Sequence, residues 1–123
     1  MAIARDTNAV NIKPLEGAAV IRYTAGAAIA AGEIVSMQSD VFVDPSDSTS
    51  AAQQNVGVAI TAAAAGDRVD VVVHGRLQCM TGGTPGASLY NSTTAGEPSE
   101  STAGNQTKVG FVESATVVFV RPA

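Results

Sequence analysis

Ala31-Gly32-Glu33-Ile34-Val35, then Gln54-Asn55-Val56-Gly57-Val58, then Val69-Asp70-Val71-Val72-Val73 decide the fold, because the chain says the same thing again further on. The second version runs Pro85-Gly86-Ala87-Ser88-Leu89-Tyr90, then Thr107-Lys108-Val109-Gly110-Phe111-Val112, then Thr116-Val117-Val118-Phe119-Val120. In each copy a glycine precedes a short apolar run, a polar stretch follows, and a Val-Gly pair marks the next strand. The spacings Gly32 to Gly57 and Gly86 to Gly110 differ by a single position. A repeat shorter than a self-sufficient domain cannot bury its own apolar face. Two similar halves, about 20–80 and 81–123, are therefore expected to share one core.

Around these runs the pattern is that of strands. Val20-Ile21-Arg22-Tyr23 starts the body, and Ile34-Val35-Ser36-Met37 and Val41-Phe42-Val43 flank Ser39-Asp40 as a hairpin with a tight turn. Ala25 to Ala31 is alanine-rich, but it carries Gly26 and lies between strand signals, so a turn or irregular segment is expected there. Gly75, before Arg76-Leu77-Gln78-Cys79-Met80, predicts a bulge or bend. Asp44 to Gln53 and Asn91 to Gln106 read as polar loops, and Lys108–Glu113 with Thr116–Val120 as a terminal hairpin around Ser114-Ala115. Short strands at regular spacing, without an amphipathic helix, predict an all-β fold: a small β-barrel or sandwich, residues 20–123. Residues 1–19 differ. Ile3, Val10, Ile12 and Leu15 are isolated apolar positions among polar ones, interrupted by Pro14 and Gly17, which reads as an extended N-terminal arm.

Composition bounds the function. The chain of 123 residues has no Trp and 4 % aromatic residues, so small aliphatic side chains must fill the core and a modestly stable subunit is expected. Seven Lys+Arg against eleven Asp+Glu, net −4, leave no basic stripe for a phosphate backbone, so nucleic acid is not an expected partner. No apolar run approaches the roughly 18 residues that span a bilayer, and Arg5-Asp6-Thr7-Asn8 interrupts the segment where an export signal would be apolar. The reading is of a soluble chain with no membrane partner.

The residues that carry chemistry are sparse. His74 is the single histidine and Cys79 the single cysteine, so a nucleophilic site would have to join them. Strand alternation places side chains five apart on opposite faces unless a bulge intervenes. A structural zinc site needs four N/S ligands and is excluded. Asp40, Asp44 and Asp47, with Ser46 and Ser48, offer oxygens but match no EF-hand spacing. Asp67/Asp70 and Glu97/Glu100 are carboxylate pairs without an aromatic platform, and read as turn residues. Gly82-Gly83-Thr84-Pro85-Gly86 lacks the Gly-Lys-Ser/Thr of a phosphate loop and reads as a chain reversal between the halves. No catalytic residue, metal site or cofactor is expected, and the chain does not read as an enzyme.

Ala28-Ile29-Ala30-Ala31-Gly32-Glu33-Ile34-Val35, Asn55-Val56-Gly57-Val58-Ala59, Gly66-Asp67-Arg68-Val69-Asp70-Val71 and Thr84-Pro85-Gly86-Ala87-Ser88-Leu89-Tyr90 with Val109-Gly110-Phe111-Val112 occur in that order. In this the chain resembles tailed-phage capsid decoration (cement) proteins and related head-fibre base domains. The resemblance implies a structural virion protein on the outer capsid surface, made in the host cytoplasm. It further implies that the protein contacts the major capsid protein, stabilises the shell, and self-associates as a homotrimer or a dimer. Contact residues are not fixed by any motif; the arm positions Ile3, Arg5, Val10, Ile12 and Leu15 are the candidates. The alternative is a phage fibre or adhesin-type carbohydrate-binding module, against which the few possible stacking rings, Tyr23, Tyr90 and three Phe, weigh.

Overall fold

The computed structural model describes residues 3–38, 40–47, 54–101 and 107–122. Twelve strands run through these residues: β1 Ala4–Arg5, β2 Lys13–Pro14, β3 Ala19–Thr24, β4 Ile34–Met37, β5 Val43–Pro45, β6 Gln54–Ala59, β7 Arg68–Gln78, β8 Met80–Thr81, β9 Ser88–Asn91, β10 Pro98–Ser99, β11 Lys108–Val112 and β12 Val117–Val120. A single 3-10 turn, Ala9–Asn11, lies in the N-terminal segment and is capped by the Asn8 side chain. The fold is all-β. Of the two architectures left open by the sequence it takes the open, sandwich-like one.

The larger sheet has the order β10-β9-β11-β12-β7-β6-β4-β5. Read from its centre outward, each side repeats the other. Strand β7 pairs β6, β6 pairs β4 and β4 pairs β5, while β12 pairs β11, β11 pairs β9 and β9 pairs β10, all antiparallel. The match extends to irregularities. The β4–β6 ladder shifts register between Val35/Gly57 and Ser36/Asn55, and the β9–β11 ladder shifts between Leu89/Gly110 and Tyr90/Lys108. Each shift sits beside the glycine of a Val-Gly pair. A side chain on Gly57 would collide with the Val72 carbonyl oxygen of the neighbouring strand, and one on Gly110 with that of Phe119. The repeated glycines therefore serve close backbone approach at a bulge.

Both halves meet on β7. Its first part pairs β3 and β6, and its last residues pair β12 and β2. Between the two, the β3 ladder shifts register between Ala19/His74 and Val20/Val72. Gly75 follows with φ 117°, where a Cβ would lie 2.7 Å from the Ala18 Cα. The expected bend is present, and Arg76–Gln78 continues the same strand past it, paired with β12 and β2.

Bending β7 lets the half-sheets face each other. Ile34, Val58, Val72, Leu77, Leu89, Val109, Val112, Val118 and Val120 form the core between them, with Ile3 and Ile12 of the N-terminal segment. A second cluster, Ala25, Ile29, Val35, Val43, Ala59, Val69 and Val71, covers the opposite face of the first half-sheet. Its strands therefore carry adjacent buried residues such as Ile34-Val35, Val58-Ala59 and Val71-Val72, as sheets buried on both faces do. Residues 25–31, irregular as expected, supply the cover and are held by the bridges Ala25–Val43 and Ile29–Ala63.

A buried polar network also joins the halves. The Ser46 hydroxyl donates to Asn55 Oδ1, Asn55 Nδ2 donates to Thr107 Oγ1 at 2.7 Å, Asn91 Nδ2 donates to Ser46 Oγ at 3.0 Å, and the Thr107 N–H donates to Asn91 Oδ1 at 2.8 Å. Two segments differ from expectation. Val41 and Phe42 belong to the turn before β5, which is wider than a two-residue hairpin; Ser39 lies outside the described residues. Within Asn91–Gln106, Pro98 and Ser99 pair back on Asn91 and Tyr90, so the polar stretch begins as a hairpin; residues 102–106 lie outside the described residues.

Alanine at Gly57 or Gly110 must push a strand aside, and overpacking of this kind costs about 1–3 kcal/mol. Urea unfolding of Gly57→Ala and Gly110→Ala is expected to show comparable losses, as their equivalent positions require.

Candidate functional site

His74 and Cys79 are held apart as alternation requires. His74 is exposed and packs edge-on against Phe119, with ring centroids 5.2 Å apart. Cys79 is wholly buried in the sandwich core, and burial, with a lesser contribution from the Asp6 charge, pushes its thiol well above its ordinary range. A buried thiol of that kind is a small hydrophobe and not a nucleophile.

The carboxylates answer to structural partners. Asp70 accepts from Arg22 Nε at 2.9 Å, Glu97 from Arg5 Nε at 2.8 Å, and Glu100 from the Thr84 N–H at 2.6 Å and the Thr84 hydroxyl at 3.2 Å. Glu100 thereby fixes the glycine-rich reversal 82–86. Asp40 accepts from the Phe42 N–H at 3.1 Å, closing the turn before β5. Ser48 lies outside the described residues, and among those described no three acidic, histidine or cysteine side chains gather as a metal site.

That turn holds an unusual backbone conformation. Val41 has φ 65°, the one non-glycine residue with positive φ among those described. A β-branched residue in the left-handed region is strained by roughly 1–2 kcal/mol. Val41 is nevertheless 72 % exposed and Phe42 38 % exposed, so no burial offsets the strain. Beside them, Asp44 Oδ1 is buried against Gly26 without a hydrogen-bond partner. Desolvation, and secondarily the charge of Asp40, raises the Asp44 pKa.

The five arm positions divide. Ile3 and Ile12 are 7 % exposed and sit in the sandwich core, not on the surface as free pegs. Arg5 holds Glu97 and donates to the Ala31 carbonyl at 3.3 Å. Leu15 is half-buried, its N–H bonded to the Arg76 carbonyl at 3.0 Å. Val10 alone projects, 74 % exposed on the 3-10 turn. Residues 3–15 lie along the body, β1 on β8 and β2 on β7. Isolated isoleucines carry no periodicity, so the sequence holds no signal that these two reach the core.

The outer face of the second half-sheet carries a row of rings. Phe111 and Phe119 are a cross-strand pair stacked with centroids 5.3 Å apart and planes 7° apart, and His74 abuts Phe119. Arg76, opposite Phe119, pairs with Glu113 at 2.9 Å. Ring packs on ring here, which uses aromatic surface that a stacked sugar would need.

Ser46, Asn55, Asn91 and Thr107 bond one another, Asp70, Glu97 and Glu113 answer to arginines, and Val10 and Val41 project from turns. The chain belongs to the phage cement protein family, whose sequence model matches residues 15–117. That family is one of structural phage proteins, and its match runs from just before β3 to the first residue of β12. A search of curated proteins returned no match.

Because the folded state raises the Asp44 pKa above 3.8, folding favours the protonated acid, and this contribution fades as pH rises through the folded-state value. Asp44→Asn is expected to raise the thermal midpoint at neutral pH and to change it little in acid; a midpoint difference independent of pH would contradict the assignment.

Proposed function

We propose that this protein decorates the outside of an assembled phage shell and stabilises it by contacting the shell protein. The observation that carries this reading is the family match over the body of the chain. The exposed, strained apolar turn at Val41-Phe42 supports it. Strain held where nothing is buried is a common mark of a contact surface. Of the arm positions, Val10 is the contact in this reading; Ile3, Arg5, Ile12 and Leu15 hold it in place. Contact of Ile3 or Ile12 with the shell would require the arm to leave the body and open the core.

The stabilisation follows from linkage. A ligand that binds the assembled, expanded lattice and not its precursors favours that lattice by mass action. Each copy binds modestly, and engagement at several points raises the effective affinity. Self-association, as a trimer or a dimer, belongs to the same reading and would add to that engagement.

The test is sedimentation with heads assembled without the protein. Binding that saturates at a fixed ratio to the shell protein, with heads that withstand higher temperature, is expected; absence of saturable binding overturns the reading. Val41→Gly separates stability from contact, since glycine tolerates φ 65°. It is expected to stabilise the isolated protein by up to about 1 kcal/mol while weakening head binding. Val10→Asp should leave the midpoint unchanged and weaken binding roughly tenfold or more, as loss of a buried valine contact worth about 1.5–3 kcal/mol implies.

A further inference from the structure

The outer strands of the molecule are blunted in recognisable ways, with one exception. β10 is Pro98–Ser99, β5 is three residues ending on Pro45, β2 is Lys13–Pro14, and β1 and β8 are two residues each. Short length, proline and lysine are the devices by which sheet edges avoid pairing with other chains. β3 carries one charge, Arg22, and that charge is paired with Asp70 of β7 at 2.9 Å. It is six residues long and free of proline, and its ladder is with β7; on the other side β5 reaches only its C-terminal end, where Ala25 bridges Val43 and the Gly26 N–H donates to the Val43 carbonyl.

The backbone of β3 is poised for a further strand. The Ala25 N–H donates to the Asp67 carbonyl and the Ala25 carbonyl accepts from the Gly66 N–H, so odd-numbered positions turn toward β7 and the loop before it. Alternation then sends the N–H and C=O of Val20 and Arg22 to the open side, while beside Thr24 that side is taken by Val43 of β5. The register agrees: Asp70, opposite Arg22, turns its own N–H to Thr61 Oγ1 and its carbonyl to the Ile60 N–H, away from β3. Val20 is 44 % exposed and Ile21 46 % exposed. These neighbours point to opposite faces of the sheet, so only an element lying in the sheet plane beside β3 touches both.

We propose that β3 is a docking edge that accepts an extended, apolar segment of the shell protein as an added strand. This rests on the decoration reading above and names the partner's form. A second copy of the chain fits the edge less well. Each copy carries a net charge of −4, so two copies repel. A single strand-to-strand ladder of this length is a narrow contact, far smaller than the interface of roughly 1,200 Å² that a stable pairwise complex buries. A shell segment arrives tethered to a lattice, where contacts at Val10 and Val41 add to the ladder and supply what the edge lacks.

Val20→Pro removes an N–H on the open side, where proline is tolerated, and leaves the bonds to β7 intact. Val20→Lys, an edge lysine that keeps the N–H, is the second variant should the first fail to fold. With heads assembled without the protein, the wild type is expected to bind and each folded variant to bind at least about tenfold more weakly. Hydrogen exchange of residues 19–24 should slow when the wild type is on heads. Variants that bind as the wild type does, with exchange in 19–24 unchanged, overturn the proposal while leaving decoration standing. Self-association of the wild type that Val20→Pro abolishes also overturns it, assigning the edge to a second copy. A wild type that does not bind heads at all fails the decoration reading itself, before any variant is compared.

Discussion

The whole molecule hangs on one strand that is held from both sides near each of its ends. Residues 68–78 carry hydrogen-bonded neighbours on each edge, β3 and β6 at one end and β2 and β12 at the other. A strand so held cannot slip by one residue without turning Val69 and Val71 out of one core and Leu77 out of the other. The bend at Gly75 then decides everything beyond it. Because a Cβ there would press on Ala18, the strand turns only where the side chain is missing, and the second half-sheet swings over the first. The sandwich core is the consequence of that one turn.

With 4 % aromatic residues, stability depends on fit more than on bulk. Valine and alanine bury little area each, so backbone must approach backbone closely for the core to be dense. Gly57 and Gly110 allow this at equivalent places, beside the Val72 and Phe119 carbonyls. The Ser46-Asn55-Asn91-Thr107 network does a different job. Buried amides are costly unless paired, so its fully paired arrangement penalises any misregistered docking of one half on the other.

The all-β fold, most of its strands and the bend were legible in the sequence because each has a local signal: alternation, a Val-Gly pair, an isolated glycine. Local signals stop where contacts become distant. Nothing within residues 1–19 marks Ile3 and Ile12 as core, since their burial depends on space left beside β8 and β7. The hairpin Asn91–Ser99 read as loop because the stretch is polar, yet β10 is a two-residue edge strand, where polar residues and proline are allowed. Val41 read as strand on propensity; Asp40, by accepting from the Phe42 N–H, favours a wider turn and leaves Val41 in the left-handed region. Of the surfaces offered for contact, Val10 was among the positions singled out, and the Val41-Phe42 turn was not. An exposed apolar residue looks the same as a buried one until its neighbours are known.

Two halves with the same pairing scheme have diverged in what they cover. The first half-sheet is buried on both faces, because residues 25–31 and β5 fold over its outer side. The second half-sheet keeps its outer face open and lines it with Phe111, Phe119 and His74. This asymmetry follows from where each half spends its polar segment. In the first half the stretch before β4 carries Ala25 and Ile29, apolar residues that can serve as cover; in the second half the corresponding reversal, 82–86, is glycine-rich and has no apolar side chain to lay down. A covered face leaves only its rim for contact, which is where the β3 edge and the Val41 turn lie. An open face leaves its rings half-buried and stabilised by one another. The repeat thus supplies the frame, and the unequal filling of its two turns determines which parts of the frame remain available to another protein.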